Sequence, residues 1–114
     1  MVQISIHIDF EHEGQLEPTT VSLLEHIAEK GSISAAGRAM KISYKQAWER
    51  VAEVNRSFDE PLVKGQTGGP AGGGATLTER GRELVRHYRA LEHKALSATT
   101  KYLQMLHATA TRQA

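Results

Sequence analysis

GSISAAGRAMKISYKQAWERVAEVN, residues 31–55, carries two short helical patterns with a tight turn between them. Ser34 is a side chain that can cap the first by accepting from free backbone N–H groups, with Ile33 as an entry staple. Ala36, Ala39 and Met40 then fall on its inner side, small enough to let a neighbouring helix come close, and Ile42 plugs the turn. Ser43 can cap the second. Ala47, Val51, Val54 and Phe58 form its inner stripe at helical spacing. Tyr44, Lys45, Gln46 and Glu49 fall on the free side of its first turns, with Arg50 and Arg56 further along. A second helix that is polar at its start and apolar along one side is the pattern of a helix-turn-helix, which offers that helix to the DNA major groove. Trp48 is expected in the core, because an indole is costly to leave exposed; a contact to the DNA backbone is the alternative.

Towards the N-terminus, Val2, Ile4, Ile6, Ile8 and Phe10 alternate with Gln3, Ser5, His7 and Asp9. Period-two alternation predicts a strand over 1–10 with one buried face, joining either the wing strands or a partner subunit. Pro18 can open a helix over 18–30, with Leu23, Leu24, Ile27 and Ala28 on one face and Gly31 as its stop.

Towards the C-terminus, Leu62-Val63-Lys64 and Thr76-Leu77 flank the Gly-rich run TGGPAGGGA, residues 67–75. Two short strands around such a loop predict a hairpin wing over 62–77, in which backbone N–H groups can approach phosphates closely. A nucleotide-phosphate loop would need Lys-Ser or Lys-Thr after its last Gly, and Ala75-Thr76 stands there. A plain surface loop is the remaining alternative. Thr78 can cap a last helix over 78–108. Leu84, Tyr88, Leu91, Ala95, Ala98, Tyr102 and Met105 are spaced four and three in turn, an a/d seam. A helix of ~30 residues spans ~45 Å, so it is expected to project and pair with a second copy; a bend near Ser97-Ala98-Thr99-Thr100 is the alternative.

A chain of 114 residues without cysteine suggests one domain with no disulfide framework and no thiolate metal site. No apolar run approaches the ~20 residues of a membrane span, so a cytoplasmic protein without membrane association is expected. The net charge of +1 hides a polarity: residues 1–37 hold six acids and one base, residues 38–114 thirteen bases and seven acids. A basic part that begins inside the reading unit fits nucleic-acid binding. The six histidines are scattered without metal-ligand spacing. Glu79, Arg80, Arg82, Glu83, Arg86 and Arg89 read as a solvated helix face. No catalytic constellation, cofactor or metal is expected, and the chain is not read as an enzyme.

GSIS (31–34), ISYK-x-AW (42–48), LV (62–63), TGG (67–69), GGGA-x-LT (72–78) and Gly81 together resemble the N-terminal DNA-binding domain of the ModE family of molybdate-responsive regulators, and more distantly LysR-type winged helices. The resemblance runs over nearly the whole chain in order. It implies a mainly α fold with a small β-sheet: a winged helix-turn-helix plus a long C-terminal dimerisation helix, forming a homodimer through the first and last helices and binding an operator. The family commonly has Gly where Lys41 stands and Arg where Gly65 stands. Full-length ModE proteins continue into a molybdate-binding region; the chain stops at Ala114, so molybdate binding is not carried over, and a separate molybdate-binding effector protein is an open partner.

The expected partners are therefore double-stranded DNA and a second copy. Ser32, Ser34, Lys41, Arg50, Lys64 and the wing residues Thr67, Gly68 and Gly69 are candidates for phosphate contacts; Ser43 opens the reading helix, and Tyr44, Lys45 and Gln46 are candidates to read bases. The alternative function is a winged-helix protein-interaction module, or a hetero-dimerising partner of a sensor protein.

Overall fold

The computed structural model describes residues 2–66 and 74–111. Eight elements follow in order: β1 (Ile8–Asp9), β2 (Gln15–Leu16), α1 (Pro18–Lys30), α2 (Ile33–Ala39), α3 (Tyr44–Ser57), β3 (Val63–Gln66), β4 (Gly74–Leu77) and α4 (Glu79–Thr111). The fold is mainly α with two small antiparallel sheets, β1 with β2 and β3 with β4. The second sheet is the wing, with Val63 opposite Leu77 and Gln66 opposite Gly74.

The core lies where α1, α2, α3 and the wing meet. Leu23, Leu24 and Ile27 of α1 pack with Ile33 and Ala36, with Ala47, Val51 and Val54, and with Leu62, Val63, Ala75 and Leu77. The stripe on α1 is rotated from the expected one: Val21 is buried and Ala28 is exposed. In α2 it is Gly37, not Ala39, that faces inward. A Cβ at Gly37 would come within 3.1 Å of the Ala47 Cβ, so this glycine sets how closely α2 and α3 cross. The cap of α2 is Ser32 and not Ser34: Ser32 Oγ accepts from the Ala35 N–H at 2.9 Å, because the helix already begins at the buried Ile33.

Three backbone ties fasten the wing. Asn55, near the end of α3, accepts from the Leu62 and Val63 N–H groups at Oδ1 and donates from Nδ2 to the Val63 carbonyl. The Ala75 N–H donates to the Gly31 carbonyl at 2.8 Å, joining β4 to the end of α1. The Thr78 N–H donates to the Leu62 carbonyl at 2.9 Å, and Thr78 Oγ1 caps α4 by accepting from the Gly81 N–H. At Gly81 a Cβ would lie 2.3 Å from the Leu62 carbonyl oxygen, so the first turn of α4 runs directly against the chain entering β3.

The N-terminal alternation persists as half-buried and exposed side chains from Val2 to Asp9, but only Ile8 and Asp9 form ladder bonds. Their partner is Leu16 and Gln15 of the same chain, not the wing. A 3-10 turn at Glu11–Glu13 brings the chain back within hairpin distance, which closes a local pairing first. Phe10 packs edge-on against Phe58, with ring centroids 5.6 Å apart.

Helix α4 is unbroken through residues 97–100; Thr99 and Thr100 donate their hydroxyls to the carbonyls of Ala95 and Leu96. It is ~50 Å long and accounts for a molecule measuring 62 × 28 × 21 Å. Arg89 is not part of a solvated face. Its guanidinium holds Glu25 of α1 at 2.7 and 3.2 Å, Ser22 at 3.2 Å and Glu92 at 2.8 Å. The hydrogen bonds to Glu25 above all hold its proton more tightly than usual.

Asn55→Ala removes the partner of two backbone donors and one acceptor in a half-buried place. It is expected to lower stability by about 1–3 kcal/mol, read as a fall in the midpoint of urea unfolding. Midpoints equal to wild type would show that the wing does not depend on this side chain.

Candidate nucleic-acid interface

The turn between α2 and α3 is closed by backbone bonds, Met40 N–H to the Ala36 carbonyl and Ile42 N–H to the Gly37 carbonyl. Between them Lys41 adopts φ 60°, the left-handed region that side chains disfavour by about 1–2 kcal/mol. This is the position where the resembled family commonly carries Gly. The turn keeps the glycine-type backbone, and the exposed Lys41 side chain projects from it.

Helix α3 begins with a complete capping box. Ser43 Oγ accepts from the Gln46 N–H and Gln46 Oε1 accepts from the Ser43 N–H, each at 3.0 Å. Gln46 therefore has one amide oxygen already engaged. A bidentate grip on adenine requires both ends of the amide; while the box holds, Gln46 keeps Nε2 and only the second lone pair of an oxygen already turned to Ser43. Ser32 and Ser43 each use Oγ as a cap acceptor, and each keeps a hydroxyl hydrogen that can be given to a phosphate oxygen. Ser34 accepts from Arg38 at 3.3 Å.

Lys45 is free to reach outward: its side chain is 85% exposed and stands 4.0 Å from Glu49, a loose pair one helical turn apart. Arg50 is half-buried and donates to Thr19 Oγ1 at 3.3 Å, at the start of α1. Lys64 lies exposed on β3. Ser43, Tyr44, Lys45 and Gln46 thus share the exposed first turn of α3, beside Lys41; Ser32 and Ser34 sit at the head of α2, while Arg50 turns towards α1. The wing candidates Thr67, Gly68 and Gly69 lie outside the described residues.

Trp48 is the residue that sequence reasoning misplaced. It is 45% exposed, not in the core, and stacks edge-on with Tyr44, itself 59% exposed, at a centroid distance of 6.0 Å. The helical wheel carried the signal: Ala47, Val51 and Val54 take the inner stripe, which leaves 44, 48 and 52 on one outward row. Tyr44, Lys45, Trp48, Glu49 and Ala52 form an open, shallow patch on this side of α3.

The seam expected on α4 divides in two. Leu84 and Tyr88 pack into their own chain; the Tyr88 hydroxyl donates to the Ile6 carbonyl at 2.8 Å, and burial, then Glu92, raises its pKa. Tyr88 is therefore used inside the protomer and not on its surface. Leu91, Ala98, Tyr102 and Met105 are exposed and Ala95 is half-buried, with Leu96 and Leu106 also exposed nearby. No helix among the described residues is long and apolar enough to cross a membrane.

Residues 18–82 match the model of the bacterial regulatory helix-turn-helix proteins of the lysR family. The chain is 42% identical over 91 residues to the molybdenum transport protein ModE of Azotobacter vinelandii, covering 80% of this chain and 34% of that protein. It is 45% identical over 75 residues to the DNA-binding transcriptional dual regulator ModE of Escherichia coli K12, covering 66% of this chain and 29% of that protein. The chain thus spans about a third of the length of these relatives. A crystal structure of a LysR family transcriptional regulator superposes with a TM-score of 0.60 at 22% identity, over 86% of this chain and 31% of that one, a likeness of fold. The capped α3, its left-handed entry turn and the paired wing strands lie within the matched span, and the chain belongs to the bacterial regulatory helix-turn-helix family of the lysR type.

Proposed function

We propose that the chain is a sequence-specific DNA-binding transcription regulator of the ModE kind, acting as a homodimer on an operator in molybdenum-related gene control. The observation that carries this reading is the first turn of α3, capped, exposed and basic, with Lys45 held only by a loose 4.0 Å pair to Glu49. Ser32, Ser34, Ser43, Lys41, Lys64, Arg50 and the wing residues Thr67, Gly68 and Gly69 would hold phosphates, and Tyr44, Lys45 and Gln46 would face the bases. The similarity to ModE proteins supports the molybdenum connection. Any response to the oxyanion would come through groups other than those described here, such as a separate effector protein.

Pairing of two copies is supported by the exposed apolar residues Leu91, Tyr102, Met105 and Leu106 along one side of α4. Such a row on a projecting helix is costly to leave in water. A twofold axis would set two α3 helices about one DNA turn, ~34 Å, or a multiple of it apart.

Duplexes selected from a random pool and titrated by fluorescence anisotropy test the DNA reading. Binding is expected to fall about a thousandfold or more between roughly 50 and 200 mM salt. Lys45→Ala should cost about 1–3 kcal/mol and relax base choice at one position per half-site. Affinity loss with base choice unchanged would remove Lys45 from the reading set.

Lys41→Gly separates strain from contact. Relief of the left-handed backbone is expected to raise stability by about 0.5–1 kcal/mol, while loss of the ammonium group weakens DNA binding. A variant that gains stability and binds DNA as wild type would deny Lys41 a phosphate. Light scattering should give twice the chain mass of 12.5 kDa, and Tyr102→Glu with Met105→Glu should return it to one; a monomeric wild type would defeat the pairing.

A further inference from the structure

We infer that the Tyr44–Trp48 pair is the apolar half of the reading head and docks on thymine C5-methyl groups in the major groove. This rests on the DNA-binding reading above and gives it a base preference.

Three observations converge. The two rings are the largest apolar groups on the outward row of α3, and they hold one another edge-on at 6.0 Å instead of entering the core. Their mutual contact fixes their orientation, so little side-chain freedom is lost when a surface meets them. Next to them, the polar side chain best suited to adenine is partly engaged, since Gln46 Oε1 belongs to the capping box. That leaves Lys45, exposed and only loosely paired with Glu49, as the polar reader of the first turn.

The groove partner follows from chemistry. The base-pair edges in the major groove present hydrogen-bonding atoms and one apolar group, the thymine methyl. The open, mostly apolar patch of Tyr44, Lys45, Trp48, Glu49 and Ala52 offers hydrogen-bonding reach through the Tyr44 hydroxyl, the Trp48 indole N–H, Lys45 and Glu49. Lys45 at its rim supplies the charge that draws the phosphate backbone alongside, whereas an exposed ring pair on a helix with no basic neighbour would fit an apolar protein surface equally well. The pair thus favours thymine-containing steps, and Lys45, one residue from Tyr44, favours a guanine beside them.

The test uses the full chain and its own selected duplex. Each thymine is replaced in turn by deoxyuridine, which keeps every hydrogen-bonding group and removes only the methyl. At one or more positions per half-site the wild-type chain is expected to lose about three- to fivefold in affinity, the worth of one buried methyl. Trp48→Ala should bind thymine and uracil duplexes alike at those positions. Circular dichroism shows whether that variant keeps its helices, and the uracil series on the wild type stands without it. Tight binding that is indifferent to uracil overturns this inference and leaves DNA binding intact. A uracil penalty that persists unchanged in both Trp48→Ala and Tyr44→Ala overturns it as well. Failure to enrich any duplex overturns the DNA reading and the inference together.

Discussion

The backbone of one residue, Leu62, is where the molecule is held together. Its N–H is taken by Asn55 from the end of α3, its carbonyl by the N–H of Thr78, and its side chain is wholly buried in the core. The first turn of α4 passes so near the same carbonyl that only glycine fits at position 81. The end of α3, the entry to β3 and the start of α4 are thereby fixed to one residue, through the peptide units on either side of it. The angle of α3 to the wing, and of the wing to α4, follows from hydrogen bonds of near-fixed length rather than from side-chain packing that can relax.

Much of this was legible in the sequence because the signals are periodic or chemical. The inner stripe of α3 at Ala47, Val51 and Val54 specifies a helix and its buried side together. Ser43 as the cap of α3 is visible in the letters alone, whereas the return bond from Gln46, a base-reading candidate by sequence, is not. Gly31 ends α1 in the left-handed conformation that glycine permits. The fold class follows from these, since two such helices, a Gly-rich hairpin and a long last helix admit few arrangements.

What escaped the sequence is whatever depends on distance between segments. Ser32 and Ser34 are equally good caps as residue types; which one is used turns on Ile33 being drawn into the core. Arg89 looks like any charged residue on a helix until Glu25, which is 64 positions away, is found beside it. Glu25 also shows that the acidic first third is not merely a solvated surface, since one of its charges braces α4. Tyr88 fits a seven-residue repeat, yet its hydroxyl is claimed by Ile6 from the N-terminal hairpin. Trp48 was assigned by the cost of exposing an indole, whereas its place on the wheel argued the other way. Beside an inner stripe already filled by Ala47, Val51 and Val54, the wheel is the better guide.

Helix α4 has a mechanical consequence. Its first half is anchored through Gly81, Tyr88 and Arg89, and from Ser97 onward its residues are almost all exposed. A rigid rod clamped at one end is a lever. With ~30 Å of helix beyond Arg89, a tilt of about 5° there would carry the tip through about 3 Å, roughly one base-pair rise. The hold that Tyr88 and Arg89 keep on Ile6 and Glu25 therefore governs the reach of the free half.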